Sequence, residues 1–226
     1  MCAKNLTKPA GVLFDLDGTL LDTAQDLGEA LNHVLNGLNL PLKTYQEYQP
    51  VASHGAMGLL KLGLAEQFEQ FEIEPLRLQL LEYYQINISR YTQLFNGIKT
   101  CLNTLDNAHI PWAIVTNKPA FLTDSLVTFY PELTSSKINV SGDTLPMRKP
   151  NPEPLLFACE KMQINPDNAW YVGDAKRDIE AGNRANMLSI VANWGYTQDV
   201  IPVNQWQADL ILEQPDELTE LLISTI

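Results

Sequence analysis

Four short stretches of this sequence carry reactive residue types at spacings that folding alone does not require. Asp15 and Asp17 flank Leu16 and are followed by Gly18-Thr19. Thr116-Asn117-Lys118 follows an apolar run, Arg148-Lys149-Pro150 lies in a polar one, and Gly173-Asp174 precedes Asp178 by about one helical turn. If the four meet, Asp15, Asp17, Asp174 and Asp178 share a small volume, where like charges disfavour each other's ionisation. Lys149 alone is too little to offset them. A hard divalent cation held by carboxylates and waters fits such a donor set, and Mg²⁺ is the usual choice. A carboxylate beside a metal can attack phosphorus. Backbone N–H groups after Asp17, beginning at Gly18, would then hold phosphate oxygens together with a Thr hydroxyl and a Lys ammonium.

The elements that must bring these stretches together are legible from period. Gly11–Leu16 is a short apolar run that stops at Gly18, which predicts a buried strand. Leu20, Ala24, Leu27, Leu31, Val34, Leu35 and Leu38 then recur at three- and four-residue steps, one face of an amphipathic helix. Thr23 with Asp26 resembles an N-cap arrangement, and Gly37 ends the pattern. Further helical patterns cover Ala56–Phe68 and Pro75–Tyr91. No strand signal interrupts the span from Asp22 to Arg90, too long for a loop, so a helical subdomain is expected.

After Gly97 the pattern alternates. Helices are predicted at Ile98–Asn107, Ala120–Phe129, Glu153–Met162, Ile179–Ala185 and from Pro215. Strands are predicted at Trp112–Thr116, Ile138–Ser141, Ala169–Gly173, Leu188–Ala192 and Ala208–Leu212. Alternation of this kind predicts an α/β doubly wound parallel sheet with helices on both faces. All four reactive stretches then fall at carboxyl ends of strands, the edge where such sheets bind ligands. The expected division is a core of residues 1–20 and 94–226 with an inserted α-helical unit of residues 21–93.

Composition narrows the partners. The 226 residues carry a formal net charge of −12, which opposes binding to nucleic acid or an anionic membrane surface. With 45% hydrophobic and 19% charged residues the chain is not of a disordered composition. No apolar run reaches the ~20 residues of a bilayer span. The stretch from Met1 to Pro9 has no apolar segment of a secretory signal, so a cytoplasmic protein is expected. Cys2, Cys101 and Cys159 are scattered with no CxxC pair, so neither disulfides nor zinc are indicated, and Cys101 and Cys159 read as core packing. Oligomeric state is not legible.

Asp15-Leu16-Asp17-Gly18-Thr19, Val115-Thr116-Asn117, Lys149-Pro150 and Gly173-Asp174-x-x-x-Asp178 resemble, in order, the four motifs of the haloacid dehalogenase-like (HAD) phosphohydrolases. Four motifs in order are far more specific than the first alone, and the resemblance spans essentially the whole chain. It implies a Rossmann-like core with a small helical cap over residues 21–93. It implies Asp15 as nucleophile forming an aspartyl-phosphate and Asp17 as acid/base, with Thr116 and Lys149 on the phosphate. Mg²⁺ would be held by Asp15, the Asp17 backbone carbonyl and Asp174, with Asp178 as a further metal-side carboxylate. The chain is most similar to phosphoglycolate phosphatases, through Thr116-Asn117-Lys118-Pro119. It also resembles enzymes that act on N-acetylmuramic acid 6-phosphate, through Ser53-His54-Gly55-Ala56 and the tail from Trp194 to Leu218. Ala175 departs from the Ser that many relatives carry, at the loss of one side-chain hydrogen bond but no ligand.

Plainer roles stand beside these. Asp178 can serve only the helix dipole, Asn117 only its turn, and Lys118 reads as a solvated loop charge. His54 is either a surface or capping residue or a substrate contact from the cap. Trp112, Trp170, Trp194 and Trp206 read as core or edge cover, and Pro41–Tyr48 as a cap loop. The expected function is a Mg²⁺-dependent phosphomonoester phosphatase acting on a small phosphorylated metabolite. A β-phosphoglucomutase-like phosphotransferase shares every motif, whereas a dehalogenase has no need of an acid/base at Asp17. A phospho-accepting signalling domain is disfavoured by the ~70-residue insert and by Asp17 itself.

Overall fold

The computed structural model describes residues 6–198 and 200–226. Cys2 and the start of the Met1–Pro9 stretch therefore lie outside the described residues. Along the chain run β1 (Gly11–Phe14), β2 (Leu21–Asp22), α1 (Ala24–Gly37), α2 (Tyr45–Tyr48), α3 (Gly55–Leu64), α4 (Ile73–Ile86) and β3 (Gln93–Leu94). There follow α5 (Ile98–Asn107), β4 (Trp112–Val115), α6 (Ala120–Val127), β5 (Asn139–Val140), α7 (Glu153–Met162), β6 (Ala169–Gly173), α8 (Lys176–Arg184), β7 (Leu188–Ala192), β8 (Leu210–Leu212) and α9 (Pro215–Thr225). Six strands form one parallel sheet in the order β5-β4-β1-β6-β7-β8. This is the doubly wound α/β architecture that the alternation predicts.

Because side chains alternate along a strand, the sheet has two apolar faces. Val12, Phe14, Trp112, Ile114, Trp170 and Val172 face one core, which continues without a break into α1, α3 and α4. Leu13, Ala113, Val115 and Tyr171 face the other, against Leu155, Ala158 and Cys159 of α7. Cys101 and Cys159 are buried thiols, each pushed up to about 12 by burial, and serve packing. Trp112, Trp170 and Trp206 are buried.

The helical insert is clasped at its base by a ribbon that the sequence pattern does not reveal: Leu21 pairs with Leu94 and Asp22 with Gln93, antiparallel. Two-residue strands leave no period to detect. The start of α1 also departs from expectation. Thr23 makes no side-chain cap, and among the described residues its buried hydroxyl has no hydrogen-bond partner. The Tyr196 hydroxyl takes the place of a cap, accepting from the N–H groups of Thr23 (2.7 Å) and Ala24 (2.9 Å) while donating to Asp22 (2.7 Å). Asp26 is likewise not a capping residue. Its buried carboxylate accepts from the N–H of Tyr91 (3.0 Å), the N–H of Thr92 (2.9 Å) and the Thr92 hydroxyl (2.7 Å), tying α1 to the segment that leaves the insert.

A buried carboxylate with three donors leaves all three unpaired when removed. Asp26→Ala should therefore lower stability by about 3 kcal/mol, read from the midpoint of urea unfolding, while Asp26→Asn, whose amide oxygen still accepts, should lose less. Equal stability of Asp26→Ala and the unaltered protein would remove this tie from the account.

Candidate active site

Each reactive stretch begins one residue beyond a strand. Asp15 follows β1, Thr116 follows β4 and Asp174 follows β6, and these three strands are neighbours in register. Backbone bonds carry the register past the strand ends, from Asp15 N–H to the Val172 carbonyl (2.9 Å) and from Thr116 N–H to the Val140 carbonyl (2.8 Å). The loop after β5 brings in Lys149, whose bond to Pro150 is cis. The Asn117 amide fixes that loop, donating to the Lys149 carbonyl (2.9 Å) and accepting from the Lys149 N–H (3.1 Å).

Lys149 is the hub. Its buried ammonium lies 3.0 Å from Asp15 and 2.8 Å from Asp178, and donates to the Val115 carbonyl (2.8 Å) and the Tyr171 hydroxyl (2.7 Å). The Tyr171 hydroxyl lies 3.1 Å from that same carbonyl and 3.2 Å from Asp178. Asp178 also has the plainer role at a helix start: its other oxygen accepts the Ala175 N–H (2.9 Å) at the start of α8. Burial works to raise the Asp178 carboxyl, but Lys149 and Arg177 outweigh it and hold the group below the usual range. For Asp15 burial wins over Lys149, and the carboxyl is raised.

Asp174 differs from both. It is fully buried, and among the described residues it has no ion-pair partner; it accepts only from Thr19 Oγ1 (3.2 Å), Ser53 Oγ (2.7 Å) and the Tyr196 N–H (3.0 Å). Burial, and then the charges of Asp15 and Asp178, push it up to about 7. Carboxylate oxygens of Asp15, Asp174 and Asp178 lie within 4.8 Å of one another, grouped as metal ligands are. Oxygen-only donors with one carboxylate lacking a counter-cation suit a hard divalent ion.

Asp17 also lines the cavity and is not alone there. Lys118 is buried, at 2.9 and 3.2 Å from the two Asp17 oxygens, and donates to the Tyr84 hydroxyl of α4 (2.9 Å). This corrects the expectation of a solvated Lys118: it joins the core loop to the insert. Arg177 is a further cation in reach, 4.0 Å from Asp15. Period analysis gives no signal for either, since both sit in polar turns. Tyr171 did leave one, because a tyrosine buried in a central strand needs a partner for its hydroxyl.

Gly18 has a different place from the one expected. It does not line the cavity, and its N–H donates to the Leu21 carbonyl (2.8 Å). Its φ of +83° and the position of the Asp174 carboxylate, which a Cβ would strike, are what demand glycine. The cavity itself, about 510 Å³, is lined by Asp15, Asp17, Thr116, Asn117, Lys118 and Lys149 from the core and by Ser53, His54, Arg77, Leu81 and Tyr84 from the insert. His54 is exposed at its wall. Among the described residues, no helix is long and apolar enough to cross a membrane.

The model of the haloacid dehalogenase-like hydrolase family matches residues 12–192, a span that contains all four motifs. The chain belongs to the haloacid dehalogenase-like hydrolases. It is 38% identical to a phosphoglycolate phosphatase of Xanthomonas campestris pv. campestris, over 94% of this chain and 96% of that one. It is 33% identical to an N-acetylmuramic acid 6-phosphate phosphatase of Pseudomonas aeruginosa, over 93% of each. Its fold is also that of a predicted phosphoglycolate phosphatase from Haemophilus somnus 129PT, with a TM-score of 0.85, 26% identity and coverage of 98% and 99% of the two chains. The protein is a phosphatase of this family.

The Asp174 carboxyl carries a pH dependence. Native Asp174 keeps its proton to about pH 7, whereas the unfolded chain releases it near 3.8, so between the two the native state binds more protons. Stability of the chelator-treated protein should therefore fall as pH rises from about 4 through about 7. Thermal melts at pH 5 and pH 8 should show it, Asp174→Asn should flatten it, and a divalent ion at pH 8 should restore what was lost. A melting temperature that rises from pH 5 to 8 in chelator would contradict this.

Proposed function

We propose that this protein is a Mg²⁺-dependent phosphomonoester phosphatase of the phosphoglycolate phosphatase type, working through an aspartyl-phosphate on Asp15. The observation that carries the reading is Asp15 itself. It lies at the centre of the sheet edge, paired to Lys149 at 3.0 Å, beside Asp174 and Asp178, and opens onto a cavity that Asp17 also faces. Mg²⁺ would be held by Asp15, Asp174 and the Asp17 carbonyl, with Asp178 steadying the set through Lys149, and when bound it supplies positive charge for the phosphoryl oxygens.

An oxygen of Asp15 attacks phosphorus, and the bond from phosphorus to the ester oxygen breaks. Asp17 gives a proton to the departing alkoxide. As a carboxylate it then takes one from the water that attacks phosphorus, which releases phosphate and restores Asp15. Lys149 and Thr116 hold the phosphoryl oxygens. Lys118 fixes where the Asp17 carboxylate sits, and Asn117 acts through the Lys149 loop. Residues 21–93 act as the cap: they place Ser53, His54 and Tyr84 over the core and exclude water. Phosphoglycolate is the first substrate to try, from the 38% relative. N-acetylmuramic acid 6-phosphate is the second, supported by the 33% relative and by a cavity with room for a sugar ring. The work is expected in the cytoplasm, on small metabolites.

Asp15→Asn keeps side-chain volume but removes the nucleophile, so phosphate release from an aryl phosphate should fall by on the order of 10³-fold or more with an unchanged circular dichroism spectrum. Excess EDTA should abolish release and Mg²⁺ should restore it. Full turnover in either condition would end the reading. Lys149→Ala should cost on the order of 10²-fold in rate, measured on the fraction that remains folded; a loss of only a few-fold would make Lys149 structural alone.

A further inference from the structure

Among the described residues, two buried side-chain polar atoms have no hydrogen-bond partner: Thr23 Oγ1 at the start of α1, and Arg177 Nε in a residue that lines the active-site cavity. An orphaned donor of this kind calls for an explanation, and beside a cavity the plainest one is a ligand. Arg177 is the second residue of α8, and its side chain is mostly buried. Its guanidinium lies 4.0 Å from Asp15 Oδ2, too far for a hydrogen bond, and it makes none among the described residues. The two oxygens of Asp15 are unlike. Oδ1 accepts from the Leu16 N–H (2.8 Å) and faces Lys149 (3.0 Å), whereas Oδ2 accepts no hydrogen bond among the described residues. Lys149 has its donors taken: three ammonium protons face Asp15, Asp178, the Val115 carbonyl and the Tyr171 hydroxyl. Arg177 is the cation beside Asp15 with donors to spare.

We propose that Arg177 is a further catalytic residue, whose guanidinium donates hydrogen bonds to the phosphoryl oxygens while Asp15 attacks phosphorus. This rests on the phosphatase reading above. A phosphorus atom poised for attack stands about 3–3.5 Å from an Asp15 oxygen. Its equatorial oxygens then come within reach of a guanidinium 4.0 Å from that carboxylate. Those oxygens carry the charge of the transition state, and a fork of two parallel N–H donors, the orphaned Nε–H among them, matches a pair of them. Arg177 keeps its own protons throughout, since a guanidinium stays charged. Charge points the same way. Asp17 is answered by Lys118. Lys149 and a divalent ion together only neutralise Asp15, Asp174 and Asp178, so an incoming phosphoryl dianion would meet no net attraction. With Arg177 the loaded site is positive by one charge.

The test uses the full chain at saturating Mg²⁺ and two probes: an aryl phosphate for turnover, and orthovanadate, whose five-coordinate adducts have the shape of the transition state. Arg177→Gln should lower kcat for the aryl phosphate by about 10²-fold, with a much smaller change in KM. The vanadate Kd, read by calorimetry, should rise by about tenfold or more. The Mg²⁺ Kd, read by calorimetry without substrate, should not weaken, because a cation has been taken away from the ion. Arg177→Lys keeps the charge but not the fork, so its vanadate Kd should stay roughly threefold or more above that of the unaltered protein. If Arg177→Gln does not fold, that shortfall carries the test. A vanadate Kd that Arg177→Gln leaves in place, or that Arg177→Lys restores in full, would overturn the proposal, since charge alone would then suffice. An unaltered protein that neither releases phosphate from the aryl ester nor binds vanadate with Mg²⁺ present would instead overturn the phosphatase reading beneath it.

Discussion

The buried ammonium of Lys149 is the interaction on which the rest of this site depends. Three strands of a parallel sheet end side by side, and the fold places an aspartate beyond two of them, with Asp178 one helical turn later. Without a cation at that point the carboxylates would face each other in a medium that screens poorly, and the strand ends would be driven apart or held protonated. Lys149 answers two of them at 3.0 and 2.8 Å and uses its remaining proton on a backbone carbonyl and a tyrosine hydroxyl. Asp174 is the carboxylate it does not serve; burial, and then the charges of Asp15 and Asp178, push that group up to about 7, and it is there that the proposed divalent ion would sit.

The insert is joined to the core by polar contacts at the cavity and not by apolar packing alone. Ser53 donates to Asp174 and Tyr84 accepts from Lys118, which in turn holds Asp17. Both contacts end on residues at the centre of the proposed chemistry. Displacement of the insert therefore removes a partner from Asp174 and from Lys118 together, so the position of the insert and the arrangement of the carboxylates are coupled by direct bonds.

Much of this was legible in the sequence because the core strands are long enough to show a period and are bounded by turns. Ala169–Gly173, Leu188–Ala192 and Glu153–Met162 have the limits that the pattern predicts. The four motifs announce the site because each couples a strand end to an otherwise costly charge. What the sequence does not carry is pairing at long range. Lys118 looks solvated when only its neighbours are considered, and becomes buried because Tyr84 arrives from 34 residues earlier. Thr23 looks like a cap, and Tyr196 supplants it from 173 residues away. Gly18 looks like a phosphate cradle, but its N–H belongs to Leu21. Arg177 lies in a polar turn like any other until α8 directs it toward Asp15.

The Tyr196 hydroxyl that starts α1 has a consequence for how the chain is made. Ala24 leaves the ribosome 172 residues before its partner, an interval of roughly 10–35 s at ordinary elongation rates. Throughout that interval the first turn of α1 has no lid on its free N–H groups, and Asp174, which the Tyr196 N–H steadies, has not yet been translated for most of it. The central strand β1 is also made long before its neighbours β4 and β6. The nascent chain thus carries Asp15 and Asp17 in an unassembled state until the last quarter of the polypeptide emerges. Assembly of the three clustered carboxylates is then among the latest events of biosynthesis, and a chain truncated before Tyr196 has an incomplete floor however well its insert has folded.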